Sequence, residues 1–256
     1  MTNERENLVV SDLANGVAHV QLNRPEALNA FSPAVLEALV ASIRAADDNP
    51  DTRVIVLSGA GRAFSAGVDL KALQGIDPEA GRIGDVFDGV AADAARIARS
   101  ARVPVIAKVH GYCFTGALEL ALNCDFIYTT ADTKFGDTHA KWGLRPTWGM
   151  SQNLARAVGV RRARELSFTA RTFTGVDAKA WGLAVEACES QEILDQLVAE
   201  RAAAIAAASP GAISAYKKLY QLHEENRPLE EALEEEVRRD FPEITDTKER
   251  LSGFGA

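Results

Sequence analysis

Cysteine is scarce in this sequence, and its spacing limits what the protein can be. The chain of 256 residues contains three cysteines, Cys113, Cys124 and Cys188, and no two of them form a CxxC pair. Neither a disulfide framework nor a cysteine-based zinc site is therefore expected. The four histidines also lack HExxH or another spacing typical of metal ligands, so we predict no bound metal.

Long apolar runs and an excess of basic residues are also absent. No apolar run reaches the roughly 18 residues of a membrane span, and the first ten residues, MTNERENLVV, carry charges without the apolar core of a signal peptide. Lysine and arginine number 28 against 36 aspartate and glutamate residues, so the formal net charge is −8. This charge argues against general affinity for nucleic acid or an anionic membrane. We expect a soluble cytoplasmic protein.

Two short glycine motifs match other enzyme classes only in part. Gly59-Ala60-Gly61 begins like a dinucleotide-binding fingerprint, but the third glycine position is Phe64 and Ser65-Ala66-Gly67 interrupts the helix that should start there. Gly149-Met150-Ser151-Gln152-Asn153 lacks the final glycine of the nucleophile elbow in serine hydrolases. We therefore expect neither a dehydrogenase nor a serine hydrolase.

Strand and helix patterns alternate through the first half of the chain. Residues 17–23 alternate apolar and polar side chains, as in a half-buried strand, and Ser32-Pro33 then provides an N-cap and a proline at the first helical position. Three later apolar segments, at 54–58, 103–109 and 126–130, predict buried strands. The alternation indicates an α/β fold with parallel strand pairing.

Two further helical segments are predicted, one in the middle of the chain and one at its C-terminal end. The glycine-bearing stretch 72–90 is expected to be mobile and to precede a helix at about 91–100. From about Gln196 onward the sequence is rich in helix formers and has little β signal. We therefore predict a helical C-terminal region.

Two glycine-bearing turns, Gly59–Leu70 and Gly111–Glu119, follow predicted buried strands. At strand ends, backbone N–H groups are free to bind a ligand, and glycine permits its close approach. Taken alone, each turn is more typical of a simple tight connection than of a ligand site. Glu119 in the second turn has apolar neighbours on both sides, which favours a functional or paired carboxylate.

Four segments stand out in chain order within about 16–185: LNRPEALNAF, GRAFSAGVDL, HGYCFTGALELALNCD and TKFGDTHAKWGL. Together they resemble the signature blocks of the crotonase (enoyl-CoA hydratase/isomerase) superfamily. The resemblance implies a crotonase-like ββα spiral core with two nearly perpendicular sheets at 1–195 and a helical trimerisation region at 196–256. It also implies an enzyme of acyl-CoA thioesters that forms a homotrimer or a hexamer.

The resemblance assigns catalytic roles to particular residues. In the superfamily two backbone N–H groups bind the thioester oxygen, and they correspond to those of Val68 and Gly116 here. Two fixed donors beside a helix N-terminus stabilise an enolate oxygen without reorganising water. A side chain at Gly116 is expected to crowd the thioester. Glu119, one helical turn later, corresponds to the general acid/base.

The fourth block departs from the family pattern. Typical hydratases have a second glutamate three residues after the Phe-Gly pair, whereas this sequence has His139. Histidine can orient water or transfer a proton near neutral pH, and Asp137 is a second, shorter candidate for that role. The alternative is that His139 packs under Trp142 and has no catalytic role. The first prediction is therefore an enoyl-CoA hydratase. The alternatives are an isomerase, decarboxylase or thioester hydrolase of the same superfamily, and a non-catalytic CoA thioester-binding protein.

Further matches to the superfamily imply a coenzyme A site. The matching residues lie in the first two blocks and at the C-terminus: Arg24, Ala27, Leu28, Ala66, Asp69, Leu70 and Phe254. Phe254 resembles an aromatic residue that members contribute to the site of a neighbouring subunit. Coenzyme A enters as part of the substrate, and the resemblance implies no other cofactor.

Overall fold

A computed structural model describes residues 8–74, 79–225 and 227–252, without the side chains of Asp85 and Val86. The predicted CoA contact Phe254 lies outside this part of the chain. The strands are β1 (Val9–Ala14), β2 (Val17–Leu22), β3 (Val54–Gly59), β4 (Val105–Val109), β5 (Tyr112–Phe114), β6 (Phe126–Thr130), β7 (Lys134–Gly136), β8 (Phe173–Thr174) and β9 (Glu186–Cys188). The helices are α1 (Pro33–Asp48), α2 (Asp85–Ser100), α3 (Gly116–Ala121), α4 (Met150–Val158), α5 (Val160–Thr169), α6 (Gly175–Ala180), α7 (Gln191–Ala207), α8 (Pro210–Glu224), α9 (Leu229–Arg238) and α10 (Thr247–Ser252).

The described strands form two sheets. The larger sheet has the order β1-β2-β3-β4-β6-β9, in which β1 is antiparallel to β2 and the other neighbours pair in parallel. The smaller sheet has the order β5-β7-β8. From β4 onward the chain steps from the larger sheet to the smaller one and then into a helix, and β6 and β7 repeat that step. The predicted α/β spiral with parallel pairing is confirmed.

The four strands predicted from apolar patterns are confirmed as β2, β3, β4 and β6. In β2, Ala18, Val20 and Leu22 are buried, because alternate side chains of a strand point to one face. Helix α1 begins as predicted after Ser32, whose hydroxyl oxygen accepts a hydrogen bond from the Val35 N–H at 3.3 Å. Local sequence therefore fixes the start of the fold.

Helix α2 starts earlier than the predicted residue 91. It begins at Asp85, directly after Gly84, whose φ of 116° favours glycine. Glycines in this stretch predicted an irregular segment, but the described side chains of Phe87 and Ala91 are buried in the core and hold the first turns of the helix. Part of the stretch, 75–78, lies outside the described residues.

Helix α7 covers the face of the larger sheet and begins the helical C-terminal region. Its residues Leu194 and Val198 are buried against strand side chains. The helix starts at Gln191, because Ser190 caps it, and the start predicted near Gln196 was therefore late. The predicted domain boundary falls inside this helix. None of the described helices combines the length and apolar character needed to cross a bilayer.

Candidate active site

Both glycine-bearing turns border one cavity of about 340 Å³. Val68 from the first turn and Thr115 and Glu119 from the second contribute to its wall. His139 and Trp148, from the segment between β7 and α4, line the same cavity. The fold thus brings three of the four signature blocks, together with Trp148, to one place.

Buried polar side chains fix the first turn. The Asn29 side-chain amide donates to the carbonyl oxygens of Ala60 at 2.9 Å and Ala63 at 2.8 Å. The Ser65 hydroxyl donates to the Asn29 carbonyl at 2.8 Å and accepts from the Gly67 N–H at 3.1 Å. Because Asn29 and Ser65 are fully buried, these bonds hold one conformation of the turn.

The N–H of Val68 points away from Phe31, the residue that pairs with Val68 in an isolated β-bridge. The Phe31 N–H donates to the Gly67 carbonyl at 2.7 Å, and the Asp69 N–H donates to the Phe31 carbonyl at 2.8 Å. Successive backbone groups of an extended chain point to alternate sides, so the N–H between these two bonds faces the other side. Within the part of the chain that the structure covers, this N–H has no acceptor.

Gly116 is the first residue of α3, where an N–H has no acceptor within the helix. A Cβ on Gly116 would overlap the Trp148 ring. The Trp148 ring is thus one reason for glycine at this position, and the expectation that a side chain here crowds the thioester stays a prediction. A Cβ on Gly67 would lie 3.6 Å from the Gly116 nitrogen. The turns that carry the two predicted donors are thus in contact.

Glu119 is a buried carboxyl group, with 1% of its surface exposed. Its Oε1 accepts hydrogen bonds from the Trp148 N–H at 3.1 Å and the Met150 N–H at 3.0 Å. Gly149 lies between these donors with a φ of 110°, a conformation that favours glycine. The backbone thereby fixes one carboxyl oxygen and leaves Oε2 for other partners.

His139 connects Glu119 to Asp137. The Nδ1 of His139 lies 2.7 Å from Asp137 Oδ1, and its Nε2 lies 3.5 Å from Glu119 Oε2. Because an ionised carboxylate only accepts hydrogen bonds, Nδ1 carries a proton and Nε2 faces Glu119. Asp137 therefore contacts the His139 ring at the nitrogen opposite Glu119 and does not itself face Glu119.

The two carboxyl groups have opposite shifts in pKa. Burial raises the pKa of Glu119 to about 7, although the charge of His139 and the two backbone donors offset part of the effect. Burial also raises the pKa of Asp137, but hydrogen bonds with His139 and Ser167 outweigh it and leave the pKa below its usual value. At neutral pH Asp137 is thus ionised, while Glu119 readily gains and loses a proton.

The predicted CoA residues in the described chain lie around the first turn. The Ala66 N–H donates to the Leu28 carbonyl at 2.9 Å, and Arg24 Nη1 donates to Asp69 Oδ2 at 2.6 Å. Ala66 and Leu70 line the cavity. Four of the predicted residues lie outside its wall: Arg24, Ala27, Leu28 and Asp69. The Arg24–Asp69 ion pair ties the first signature block to the second.

Some groups at the site have no signal in the sequence. The N–H groups of Trp148 and Met150 bind Glu119 through the backbone, which no side-chain pattern predicts. The hydroxyl oxygens of Thr115 and Thr138 lie 2.5 Å apart and join the start of α3 to the His139 segment. Gly149 was the one available clue, because a glycine between two bulky residues often marks a special backbone conformation.

The fold and the site together define an α/β protein in which a buried carboxyl group with a pKa of about 7 shares a cavity with two turns that carry free backbone donors. The sequence profile of the enoyl-CoA hydratase/isomerase family matches residues 12–255. The chain therefore belongs to this family, and the predicted resemblance is confirmed.

Individual relatives agree with the family match. A probable enoyl-CoA hydratase of Rhizobium meliloti is 33% identical over 243 residues, which are 94% of this chain and 90% of that protein. The probable peroxisomal enoyl-CoA hydratase 1 of Arabidopsis thaliana is 35% identical over 190 residues, which are 74% and 69%. The crystal structure of an enoyl-CoA hydratase from Bacillus anthracis is similar with a TM-score of 0.87 and 30% identity, covering 96% of this chain and 94% of that one.

Proposed function

We propose that the protein hydrates 2-enoyl-CoA thioesters. The observation that carries this proposal is the placement of Glu119, a buried carboxyl group with a pKa of about 7, whose Oε2 lies 3.5 Å from His139 Nε2. The same cavity borders the turns that bear Val68 and Gly116. An acid/base group and two free donors are what water addition to a conjugated thioester needs.

In this proposal the thioester oxygen accepts hydrogen bonds from the N–H groups of Val68 and Gly116. Glu119 takes a proton from water while the water oxygen bonds to Cβ, and the electrons of the double bond move to the thioester oxygen. The resulting enolate is stabilised by the two donors. Glu119 then returns the proton to Cα, so that one water has been added. A carboxyl group with a pKa near neutrality suits both transfers.

His139 holds the water in this scheme. Its Nε2 and Glu119 Oε2, 3.5 Å apart, are too distant for a strong direct hydrogen bond but can both contact one water. Asp137 fixes the ring by accepting from Nδ1 at 2.7 Å. One carboxylate and one histidine thus replace the two carboxylates expected of a typical hydratase.

The test is the conversion of crotonyl-CoA. Hydration removes the absorbance of the conjugated enoyl thioester and gives a product heavier by one water. Glu119→Gln should abolish turnover and retain affinity for butyryl-CoA, whereas Glu37→Gln, at an exposed glutamate of α1, should leave turnover intact. Tight binding of crotonyl-CoA without turnover by the unmodified protein would favour the CoA thioester-binding alternative.

Double-bond isomerisation is the second candidate, and His139 is the observation that favours it. An isomerase moves a proton between Cα and Cγ with one base and without attacking water, so it does not need a second carboxylate. Incubation with a 3-enoyl-CoA distinguishes the reactions. Isomerisation creates the conjugated absorbance without a change in mass, and hydration of a 2-enoyl-CoA removes it.

We also propose that the protein forms a homotrimer, alone or as half of a hexamer, through its helical C-terminal region. Leu229, Leu233 and Val237 lie four residues apart on one face of α9 and are 69%, 48% and 90% exposed. An apolar stripe of this kind is typical of a subunit contact. Sedimentation velocity tests it, and Leu233→Glu should shift the protein toward monomer. A monomeric unmodified protein would contradict the proposal.

A further inference from the structure

Trp148 is a cavity residue whose side chain the proposed reaction does not use. It lines the cavity beside Glu119. Its backbone N–H donates to Glu119 Oε1 at 3.1 Å, but this bond would form with any side chain except proline. The indole, of which little is exposed, must therefore have another role.

The indole of Trp148 is held on three sides. It stacks on Phe87, with ring centroids 6.1 Å apart and planes 9° from parallel, and it is tilted against Phe31 at 6.3 Å. Both phenylalanines are fully buried. On the third side the ring packs so closely on Gly116 that a Cβ there would overlap it. A ring in such close packing cannot turn aside without moving the core.

The position of this ring relative to the acid/base group is also fixed. The N–H of Trp148 is hydrogen-bonded to Glu119, and its ring contacts Gly116. The indole therefore lies next to both the proposed acid/base group and the proposed thioester site. A thioester bound as proposed, with its oxygen at Gly116 and its Cβ at Glu119, therefore has the indole beside its acyl chain. The cavity volume of about 340 Å³ is small, since ligand pockets span about 300–1,000 Å³.

We propose that Trp148 is the end wall of the acyl pocket and selects short-chain over long-chain acyl-CoA thioesters. The inference rests on the proposed function, because it assumes a thioester bound at Val68 and Gly116. It names the substrate class that the reaction alone leaves open.

The three tryptophans of the chain, Trp142, Trp148 and Trp181, provide a matched set of variants. Trp142 lies at the mouth of the same cavity and is 52% exposed, whereas Trp181 packs on Phe173 away from it. Each is replaced by leucine, and kcat/KM is measured with crotonyl-CoA and with 2-decenoyl-CoA. The ratio of the two values reports the length preference independently of overall activity.

The unmodified protein should prefer crotonyl-CoA by about tenfold or more, because removing one methylene from a fitted pocket already changes kcat/KM by about 10–200-fold. Trp148→Leu should shift the ratio toward 2-decenoyl-CoA by a similar factor, and Trp181→Leu should leave it unchanged. Equal use of both thioesters by the unmodified protein overturns the inference. An equal shift in Trp142→Leu does so too, because the mouth would then set the length.

Two further measurements separate this inference from the hydratase proposal and from misfolding. Affinities for butyryl-CoA and decanoyl-CoA, measured by calorimetry, test the length preference without turnover. A short-chain preference in affinity with no hydration would overturn the proposed reaction and leave the end wall supported. If circular dichroism shows that Trp148→Leu is unfolded, Trp148→Phe replaces it, with a smaller shift in the same direction, and no shift in that folded variant contradicts the end wall.

Discussion

The two halves of the candidate site are built from different kinds of groups. The donor half uses the main-chain N–H groups of Val68 and Gly116, in turns whose shape is set by buried contacts. The proposed acid/base half uses the side chains of Glu119, His139 and Asp137, and burial and hydrogen bonds set the pKa of its two carboxyl groups. Activity should therefore be sensitive to substitutions that move the backbone in the donor half. In the acid/base half it should be sensitive to exchanges of single side-chain atoms.

The comparison explains why the family pattern changes in only one half. A main-chain donor is kept as long as the backbone path is kept, so the residues around Val68 and Gly116 follow the signature blocks. In the proposed reaction a histidine can replace a carboxylate at residue 139, because Asp137 at 2.7 Å fixes its ring and its Nε2 still faces Glu119. That reaction therefore depends on Asp137 as well as on His139.

Beyond the loss of turnover expected for Glu119→Gln, the largest effect is expected when the donor half loses its shape. Gly116→Ala places a methyl group into the Trp148 ring and displaces the donor. Loss of one such donor lowers kcat by about 10²–10³-fold. Val68→Ala keeps the N–H in place, so its loss of kcat should be at least tenfold smaller than the loss in Gly116→Ala. The measurement is kcat with crotonyl-CoA, with circular dichroism to confirm folding, and equal losses would show that the donor half depends on side chains.

Combining Gly116→Ala with Trp148→Leu sharpens this prediction. If the indole is what requires glycine, the alanine should cost less activity in the leucine background, because substitutions at contacting residues are not additive. A double variant whose loss is the product of the two single losses would show that the methyl group instead crowds the thioester.

A smaller effect is expected from Asp137→Asn in the acid/base half. Asparagine can donate to Nδ1 of His139, so it permits the tautomer with the proton on Nε2, and kcat should fall about 10–100-fold, within the usual contribution of a proton-transfer group. KM should change little, since Asp137 does not face the thioester. The kinetics are measured alone and in a His139→Ala background. An undiminished effect without His139 would mean that Asp137 does not act through the ring.

The pH dependence of activity should follow Glu119. Its carboxyl group must be ionised to accept a proton from water, so kcat/KM should rise with pH and level off above about 7, where burial places this pKa. Below that pH the loss approaches about tenfold per unit. The measurement is a pH profile with crotonyl-CoA. A flat profile between pH 5 and 8 would assign the proton transfer to another group.

The contribution of Glu119 to folding stability should fall as the pH rises, whereas activity should rise. The pKa of Glu119 is raised on folding from 4.5 to about 7, so the folded state binds its proton more tightly than the unfolded state. The resulting stabilisation is present below about pH 4.5 and is lost as pH rises toward 7. Comparing urea unfolding of the unmodified protein and Glu119→Gln at pH 5 and pH 8 isolates this group. An identical pH dependence in both proteins would contradict the raised pKa.

Sequence patterns predicted the scaffold better than its boundaries. The strand around Val20 and the helix capped by Ser32 follow from alternation and capping, which are local effects, and both are confirmed. The start of α2 was misplaced because burial of Phe87 against distant parts of the chain extends the helix beyond its local signals. The start of α7 was misplaced because the local cap at Ser190 was not used in the prediction. Short strands such as β8, with two residues, have no pattern to detect.

The candidate site was predictable where residue identity matters and unpredictable where backbone direction matters. Glu119 stood out as a carboxyl group among apolar neighbours, and His139 as a departure from the fourth block. The donors at Trp148 and Met150 could not be foreseen, because any residue type supplies an N–H. Cytoplasmic location, the trimer and the CoA contact at Phe254 remain predictions.

The smallest predicted effect concerns Thr115, at the junction between the two halves. Its φ of 50° and ψ of −109° are unfavourable for a β-branched residue, and such strain costs of the order of 1–3 kcal/mol. Its hydroxyl oxygen lies 2.5 Å from that of Thr138, next to His139. Thr115→Gly should therefore raise the free energy of unfolding by about 1 kcal/mol, after the entropic cost of glycine, yet lower kcat several-fold. Thr115→Ser keeps the hydroxyl group and should retain kcat, so a loss of stability in the glycine variant would show that the threonine contacts outweigh the strain.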